Sequence, residues 1–186
     1  MMIKAKEILF CLLMLLPLPL LAEGGGTEVT RYTREGNKIV FHAADGSALS
    51  LHVLAADMVK VWFDPTATFT CRNPSFAVVN EQPDSSLTFD LHEESNAWEL
   101  FTPQLRIRMN KKPMQLQIFD KWQKLIYSDY MEKGHLSDST AKKAYKLLRS
   151  DEQFFGLGEK SGPLNRRGHS YTMWNSDRPC YSPTED

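Results

Sequence analysis

The chain has 186 residues, of which 42% are hydrophobic and 24% charged, and its formal net charge is −1 at pH 7. It carries no basic stripe, which argues against a nucleic-acid partner, and its frequent aromatic residues argue against a disordered chain. Three cysteines, Cys11, Cys71 and Cys180, form neither a disulfide framework nor a zinc site. Pairing of Cys71 with Cys180 would require Cα atoms within about 7 Å, which spacing does not decide.

The N-terminus has the features of a secretory signal peptide. Lys4 and Lys6 precede an uncharged apolar run at residues 8–21, and Ala22 supplies a small residue before a polar segment. The run is short for a membrane span and contains two prolines near its end, so no stable membrane anchor is expected. We therefore expect residues 1–22 to be cleaved and the protein to be secreted or periplasmic, with an uncleaved anchor as the alternative.

The next part of the chain predicts antiparallel strands. Residues 37–42 follow a hairpin-like Glu-Gly-Asn turn. In residues 46–64, two alternating apolar series predict two strands that each bury one face, and Pro65 ends the second. Two further candidates are residues 75–80 and 86–91.

The same rhythm continues through the middle of the chain. Strands are predicted around Trp98 and Leu100, across residues 105–109, across residues 114–118 and across residues 125–127. Residues 139–148 fit either one helical turn after a serine cap or a strand, and we favour the strand. Turn signals recur about every eight to twelve residues, which predicts an all-β fold, an antiparallel β-sandwich.

A long irregular C-terminal segment begins at Phe154, where glycine, proline and asparagine replace the apolar alternation. Such a segment in a compact domain is usually functional or incomplete, and both interpretations stay open here. Its Gly156-Leu157-Gly158 sequence lacks the third glycine of a dinucleotide fingerprint, so tight backbone packing is the preferred interpretation. The five histidines have no metal-ligand spacing, and neither adjacent carboxylate pair forms an acid/base couple. We therefore expect no metal and no cofactor.

A candidate sugar site lies in this segment. Trp174 stands beside Asn175 and Asp177, which combine an aromatic plate with an amide and a carboxylate. The plate can stack on the apolar face of a sugar ring, and the carboxylate can accept hydrogen bonds from two hydroxyls. Arg166 and Arg167 can donate hydrogen bonds or hold Asp177 in place. The other tryptophans are expected to pack in the core or to cover a sheet edge.

Three motifs in the segment carry a family resemblance: FGLGEK at residues 155–160, GPLNRRG at residues 162–168 and YTMWNSD at residues 171–177. Together with the strand pattern from about residue 45 onward, they resemble glycoside hydrolase family 31. The resemblance implies that residues 23–186 form an N-terminal sandwich, similar to galactose mutarotase, that precedes a catalytic (β/α)8 barrel. It also implies that the loop around Asp177, with Trp174 and Asn175, contacts the substrate.

The GPLNRRG segment looks more like the α-glucosidase branch of the family than its α-xylosidase branch. The expected whole protein is therefore a secreted α-glucosidase acting on oligosaccharides with α-linked glucose. The resemblance implies retaining hydrolysis by two aspartates of the barrel. We expect the barrel as the partner of this domain, no catalytic residue in this chain and no activity of the chain alone. The alternative is a stand-alone carbohydrate-binding module without catalysis.

Overall fold

The computed structural model describes residues 27–70, 83–84, 86–131, 133–138, 141–158 and 160–173. The predicted signal peptide at residues 1–22, the strand candidate at residues 75–80, Cys71 and Cys180 lie outside these ranges. The chain divides into two compact units, Met1–Lys146 and Leu147–Asp186.

The first unit begins with a four-stranded antiparallel sheet in the order β1-β2-β3-β4. Its strands are β1 (Val29–Glu35), β2 (Lys38–Ala43), β3 (Ala48–Ala55) and β4 (Met58–Asp64). The two strands predicted in residues 46–64 are confirmed, and β4 ends before Pro65, which has no N–H to donate. The pattern does not predict β1, because six of the seven residues of this edge strand are exposed and show no apolar alternation.

A five-stranded antiparallel sheet follows in the order β5-β6-β7-β8-β9. Its strands are β5 (Asp90–Glu93), β6 (Ala97–Phe101), β7 (Leu105–Asn110), β8 (Gln115–Asp120) and β9 (Leu125–Ser128). The last four agree with the predicted strands. The strand predicted at residues 86–91 is wrong in its first part, because Asp84 accepts hydrogen bonds from the Ser86 N–H and hydroxyl and forms a turn there.

A two-stranded sheet completes the first unit, with β10 (His135–Ser137) paired to β11 (Lys142–Ala144). An isolated bridge joins Asp129 to Lys146 just beyond the hairpin. The strand interpretation of residues 139–148 therefore holds at Lys142–Ala144 and at the bridge. The part of the chain that the structure describes contains no helix, and so none that is long and apolar enough to cross a membrane.

The core lies between the two larger sheets. The first sheet contributes Ile39, Phe41, Leu49, Leu51 and Val53, and the second contributes Trp98, Leu100, Ile107, Met109 and Leu116. The rings of Phe41 and Trp98 meet at a centroid distance of 5.5 Å. These buried faces confirm the predicted all-β antiparallel sandwich.

The sheets are also joined by backbone hydrogen bonds at one end of the sandwich. The Val29 N–H donates to the Lys111 carbonyl and the Met114 N–H donates to the Thr27 carbonyl, both at 2.7 Å. These bonds tie the start of the exposed strand β1 to the turn between β7 and β8. They supply a tertiary anchor for a strand that has little apolar surface to bury.

Candidate functional site

The structure describes two of the five predicted site residues. Trp174, Asn175 and Asp177 lie outside the described ranges, whereas Arg166 and Arg167 lie in the second unit. In the described ranges from residue 147 to 173 the chain forms neither strand nor helix, as expected for the predicted irregular segment. The chain here is held by hydrogen bonds from side chains to the backbone.

Arg166 is directed into its own loop. Its Nη1 donates to the Ser161 carbonyl at 2.6 Å and to the Tyr171 hydroxyl at 3.3 Å, and its Nη2 donates to the Lys160 carbonyl at 2.7 Å. The guanidinium carbon lies 5.2 Å from the centroid of the Tyr171 ring, a cation–π contact. Its Nε is buried and has no partner among the described residues.

Arg167 secures a different stretch of the same unit. Its Nη1 donates at 2.7 Å to the carbonyls of both Arg149 and Glu152. The Glu152 carboxylate in turn accepts from the Arg149 N–H at 2.9 Å. Arg167 therefore closes a turn at residues 149–152 that has no ladder of backbone hydrogen bonds around it.

Asn165 completes the network. Its Oδ1 accepts from the backbone N–H groups of Phe154 and Arg167, each at 3.1 Å, and the Arg166 N–H donates to the Phe154 carbonyl at 2.7 Å. Three consecutive residues, Asn165 to Arg167, thus contact three separate stretches of the unit. The Asn-Arg-Arg part of the motif is the junction of the loop.

The glycines of the segment have conformational roles. Gly156 and Gly158 have φ angles of 103° and 71°, and a Cβ at either would meet no described atom within 4 Å. The prediction of tight backbone packing is therefore wrong, because left-handed backbone is what requires glycine here. At Gly162, with φ 102°, a Cβ would also lie 3.3 Å from Arg166 Nη1 and the Tyr171 hydroxyl.

A buried polar cluster in the first unit was not predicted. Asp129, with its side chain 1% exposed, accepts at Oδ1 from Lys146 Nζ at 2.6 Å and the Tyr127 hydroxyl at 2.9 Å. Its Oδ2 accepts from the Leu116 N–H at 2.9 Å and lies 3.3 Å from His135 Nδ1. Burial lowers the pKa of the Lys146 ammonium to about 8. A carboxylate so enclosed is out of reach of a ligand. Because it contacts His135 of β10 and Lys146 just after β11, it anchors the β10–β11 hairpin.

Sequence reasoning missed this cluster because its members are far apart in the chain and follow no motif. The Asp129–Lys146 bridge brings them together, and such pairing depends on the register of the folded strands. Of the adjacent pair Glu93 and Glu94, Glu93 forms an exposed ion pair with Lys111 at 2.7 Å. Within the described ranges, no group of three His, Cys, Asp or Glu side chains could hold a metal ion.

A family model described as the glycosyl hydrolase 31 N-terminal galactose mutarotase-like domain matches residues 48–186. The chain belongs to this family. The match covers most of the sandwich and the whole irregular segment, so the resemblance carried by the three motifs is confirmed, as is the mutarotase-like fold.

Relatives of this family 31 domain are much longer proteins. An α-glucosidase 2 from Bacillus thermoamyloliquefaciens is 27% identical over 143 residues, which are 77% of this chain and 17% of that protein. A dextranase of family 31 from Flavobacterium johnsoniae, solved as a mutant with isomaltotriose, is 50% identical with a TM-score of 0.79. That match covers 88% of this chain and 20% of the dextranase chain.

A family 31 α-xylosidase from Xanthomonas citri shares the fold at 19% identity and a TM-score of 0.55, covering 79% of this chain and 16% of that one. The chain therefore spans about a fifth or less of the relatives it matches. It belongs to the family of N-terminal galactose mutarotase-like domains found in family 31 glycoside hydrolases.

Proposed function

We propose that this domain is part of an exported enzyme that hydrolyses α-linked glucose oligosaccharides, and that residues 174–177 contact the sugar. The observation that carries the proposal is the 50% identity to a dextranase that was solved with isomaltotriose. The same dextranase was also solved with glucose. The α-glucosidase relative, at 27% identity, supports a substrate built from α-linked glucose without favouring one linkage.

The proposed contacts follow from the chemistry of three side chains. The Trp174 ring offers an apolar face to the C–H face of a glucose unit. The Asp177 carboxylate accepts hydrogen bonds from neighbouring hydroxyls, and the Asn175 amide can donate or accept one more. Hydrogen bonds to a charged acceptor are stronger than neutral ones, so Asp177 should contribute most to binding.

The hydrolytic step is assigned to residues outside this chain. Retaining hydrolysis needs two carboxyl groups about 5–5.5 Å apart, one as nucleophile and one as acid and base. Three carboxylates are buried among the described residues, those of Asp64, Glu99 and Asp129. Asp129 is paired with Lys146 and Glu99 with Arg108, each at 2.6 Å, and Asp64 accepts hydrogen bonds from Thr66 and Phe69. None of the three is poised to attack a sugar, which supports placing the hydrolytic step outside the described residues. We expect the 186-residue chain to bind oligosaccharide without cleaving it.

The test begins with the coding sequence after Asp186. The longest product of that reading frame is expressed and assayed on isomaltotriose and on an aryl α-glucoside. We expect hydrolysis of both, and Asp177→Ala should raise KM by about ten- to a hundredfold, since it removes charge-assisted hydrogen bonds. Asp57→Ala, on the exposed turn between β3 and β4, is the matched control and should leave KM unchanged.

Two results would contradict the proposal. Activity on other glycosides but not on α-glucosides would show that the substrate class is wrong. A reading frame that ends at Asp186, with a folded product that binds isomaltotriose but leaves it intact, would identify a stand-alone carbohydrate-binding module instead.

A further inference from the structure

We propose that Arg166 and Arg167 are positioning residues, whose guanidinium groups brace the irregular segment that precedes residues 174–177 instead of serving as sugar ligands. The consequence for sugar binding rests on the proposed function. The brace itself is a property of the loop and can be tested without sugar.

Most donors of Arg166 are already committed. A guanidinium has five N–H donors in a fixed fork. Three of them go to the Ser161 carbonyl, the Lys160 carbonyl and the Tyr171 hydroxyl, and a fourth, at Nε, is buried, which leaves one N–H of Nη2. Any contact of a sugar hydroxyl with Arg166 beyond that one N–H would displace bonds that hold the loop together.

The planar fork of Arg166 is what spans these acceptors. Its two terminal nitrogens donate to neighbouring carbonyls, while its guanidinium carbon lies over the Tyr171 ring. A lysine ammonium is a compact charge without a planar face, so it cannot reproduce both contacts. Gly162 supports the arrangement, because any side chain there would press on Arg166 and on the Tyr171 hydroxyl.

The brace acts on residues that are close in sequence to the predicted sugar contacts. Tyr171, held by Arg166, lies three residues before Trp174. Thr172 is held as well, since its carbonyl accepts from Lys160 Nζ at 3.0 Å. Tyr171 and Thr172 are thus both held by side chains of the preceding loop. Pre-ordering of this kind lowers the entropic cost of binding.

The experiment measures backbone amide exchange by NMR in the full 186-residue chain without sugar. The variants are Arg166→Gln, Arg166→Lys and Arg167→Gln, and the control is Arg31→Gln on the exposed strand β1. The diagnostic amide is that of Arg166, which donates to the Phe154 carbonyl. Isomaltotriose affinity is measured on the same samples.

We expect the Arg166 amide to exchange about tenfold faster or more in all three variants, and the strands of the sandwich to be unchanged. Arg166→Lys should behave like Arg166→Gln. A milder variant, Tyr171→Phe, removes only the hydroxyl acceptor and should accelerate exchange about threefold. Arg31→Gln should have no effect.

Three results would overturn the inference. Unchanged exchange together with weaker isomaltotriose binding would make the arginines sugar ligands. If the residue 166 amide in Arg166→Lys exchanged as slowly as in the parent chain, a positive charge without the planar guanidinium would be sufficient to hold the loop. Equal acceleration across the sandwich strands would show that the effect is not local. Absence of isomaltotriose binding by the parent chain would count against the proposed function and leave the exchange result intact.

Discussion

The sandwich and the irregular segment are held in place by different interactions. In the sandwich, alternating side chains of the inner strands pack one face against the core, and the backbone hydrogen bonds run between neighbouring strands. In residues 147–173, backbone carbonyls are instead bonded by guanidinium and ammonium groups, as at Ser161, Glu152 and Thr172. Polar side chains in this segment thus satisfy backbone groups that strand pairing satisfies in the sandwich.

The difference predicts where each region is vulnerable. The stability of the sandwich comes from many buried side chains that unfold cooperatively. Truncation of one of them should therefore lower the free energy of unfolding of the whole sandwich. Order in the segment depends on a few bonds, each worth little in net terms, so a single substitution should loosen it locally. Four experiments test this contrast, beginning with the largest expected effect.

Leu49→Ala should destabilise the whole sandwich by about 2–5 kcal/mol, because Leu49 is fully buried between the sheets and the substitution leaves a cavity. Urea unfolding monitored by tryptophan fluorescence measures the loss. Leu164→Ala in the irregular segment removes the same atoms from a side chain that is 80% exposed, and should change stability by less than about 0.5 kcal/mol. Similar losses at both positions would refute the contrast.

Lys146→Met should destabilise the first unit by about 1–3 kcal/mol, because it leaves the buried Asp129 carboxylate without its closest cation. This loss is smaller than for a fully buried ion pair, because the Lys146 side chain is 33% exposed and solvent screens its charge. The double variant with Asp129→Asn should recover part of the loss, which a double-mutant cycle in urea measures. Strictly additive effects would show that the cluster is not coupled.

Asn165→Ala should loosen only the irregular segment, by about 1–2 kcal/mol, because one side-chain oxygen holds the N–H groups of Phe154 and Arg167. Amide exchange near these residues should accelerate while the urea midpoint of the sandwich stays the same. Asn96→Ala, at an exposed turn before β6, is the control. A shift of the global midpoint would show that the two regions unfold together.

Asp64→Asn should reduce the loss of unfolding free energy on acidification by about 1 kcal/mol. Hydrogen bonds from the Thr66 N–H and hydroxyl, and from the Phe69 N–H, lower the pKa of Asp64. Because the folded pKa is depressed, this stability is present above the ordinary aspartate pKa and is lost as the pH falls through the folded pKa. Urea unfolding at about pH 5 and about pH 2 measures it. An identical profile for the variant would remove Asp64 as a contributor.

Alternation alone was sufficient to predict β3, β4 and β6 to β9, because each buries one apolar face and turn residues bound it. Alternation was insufficient for β1, an exposed edge strand. Its start is held by hydrogen bonds from the Val29 N–H to the Lys111 carbonyl and from the Met114 N–H to the Thr27 carbonyl. Alternation also misplaced the start of β5, because Leu87 and Phe89 pack on the core from an irregular stretch that precedes the strand.

Motifs of the irregular segment were sufficient to identify the family, because the spacing of glycine, arginine and aromatic residues is specific even without regular structure. They did not reveal what the arginines touch. A guanidinium can serve a sugar or a carbonyl equally well, and only the folded loop shows that Ser161 and Glu152 carbonyls take these donors. No local sequence pattern places Asp129 beside Lys146. A buried carboxylate is tolerated only when it is paired, and here the folded chain brings its partners from distant positions.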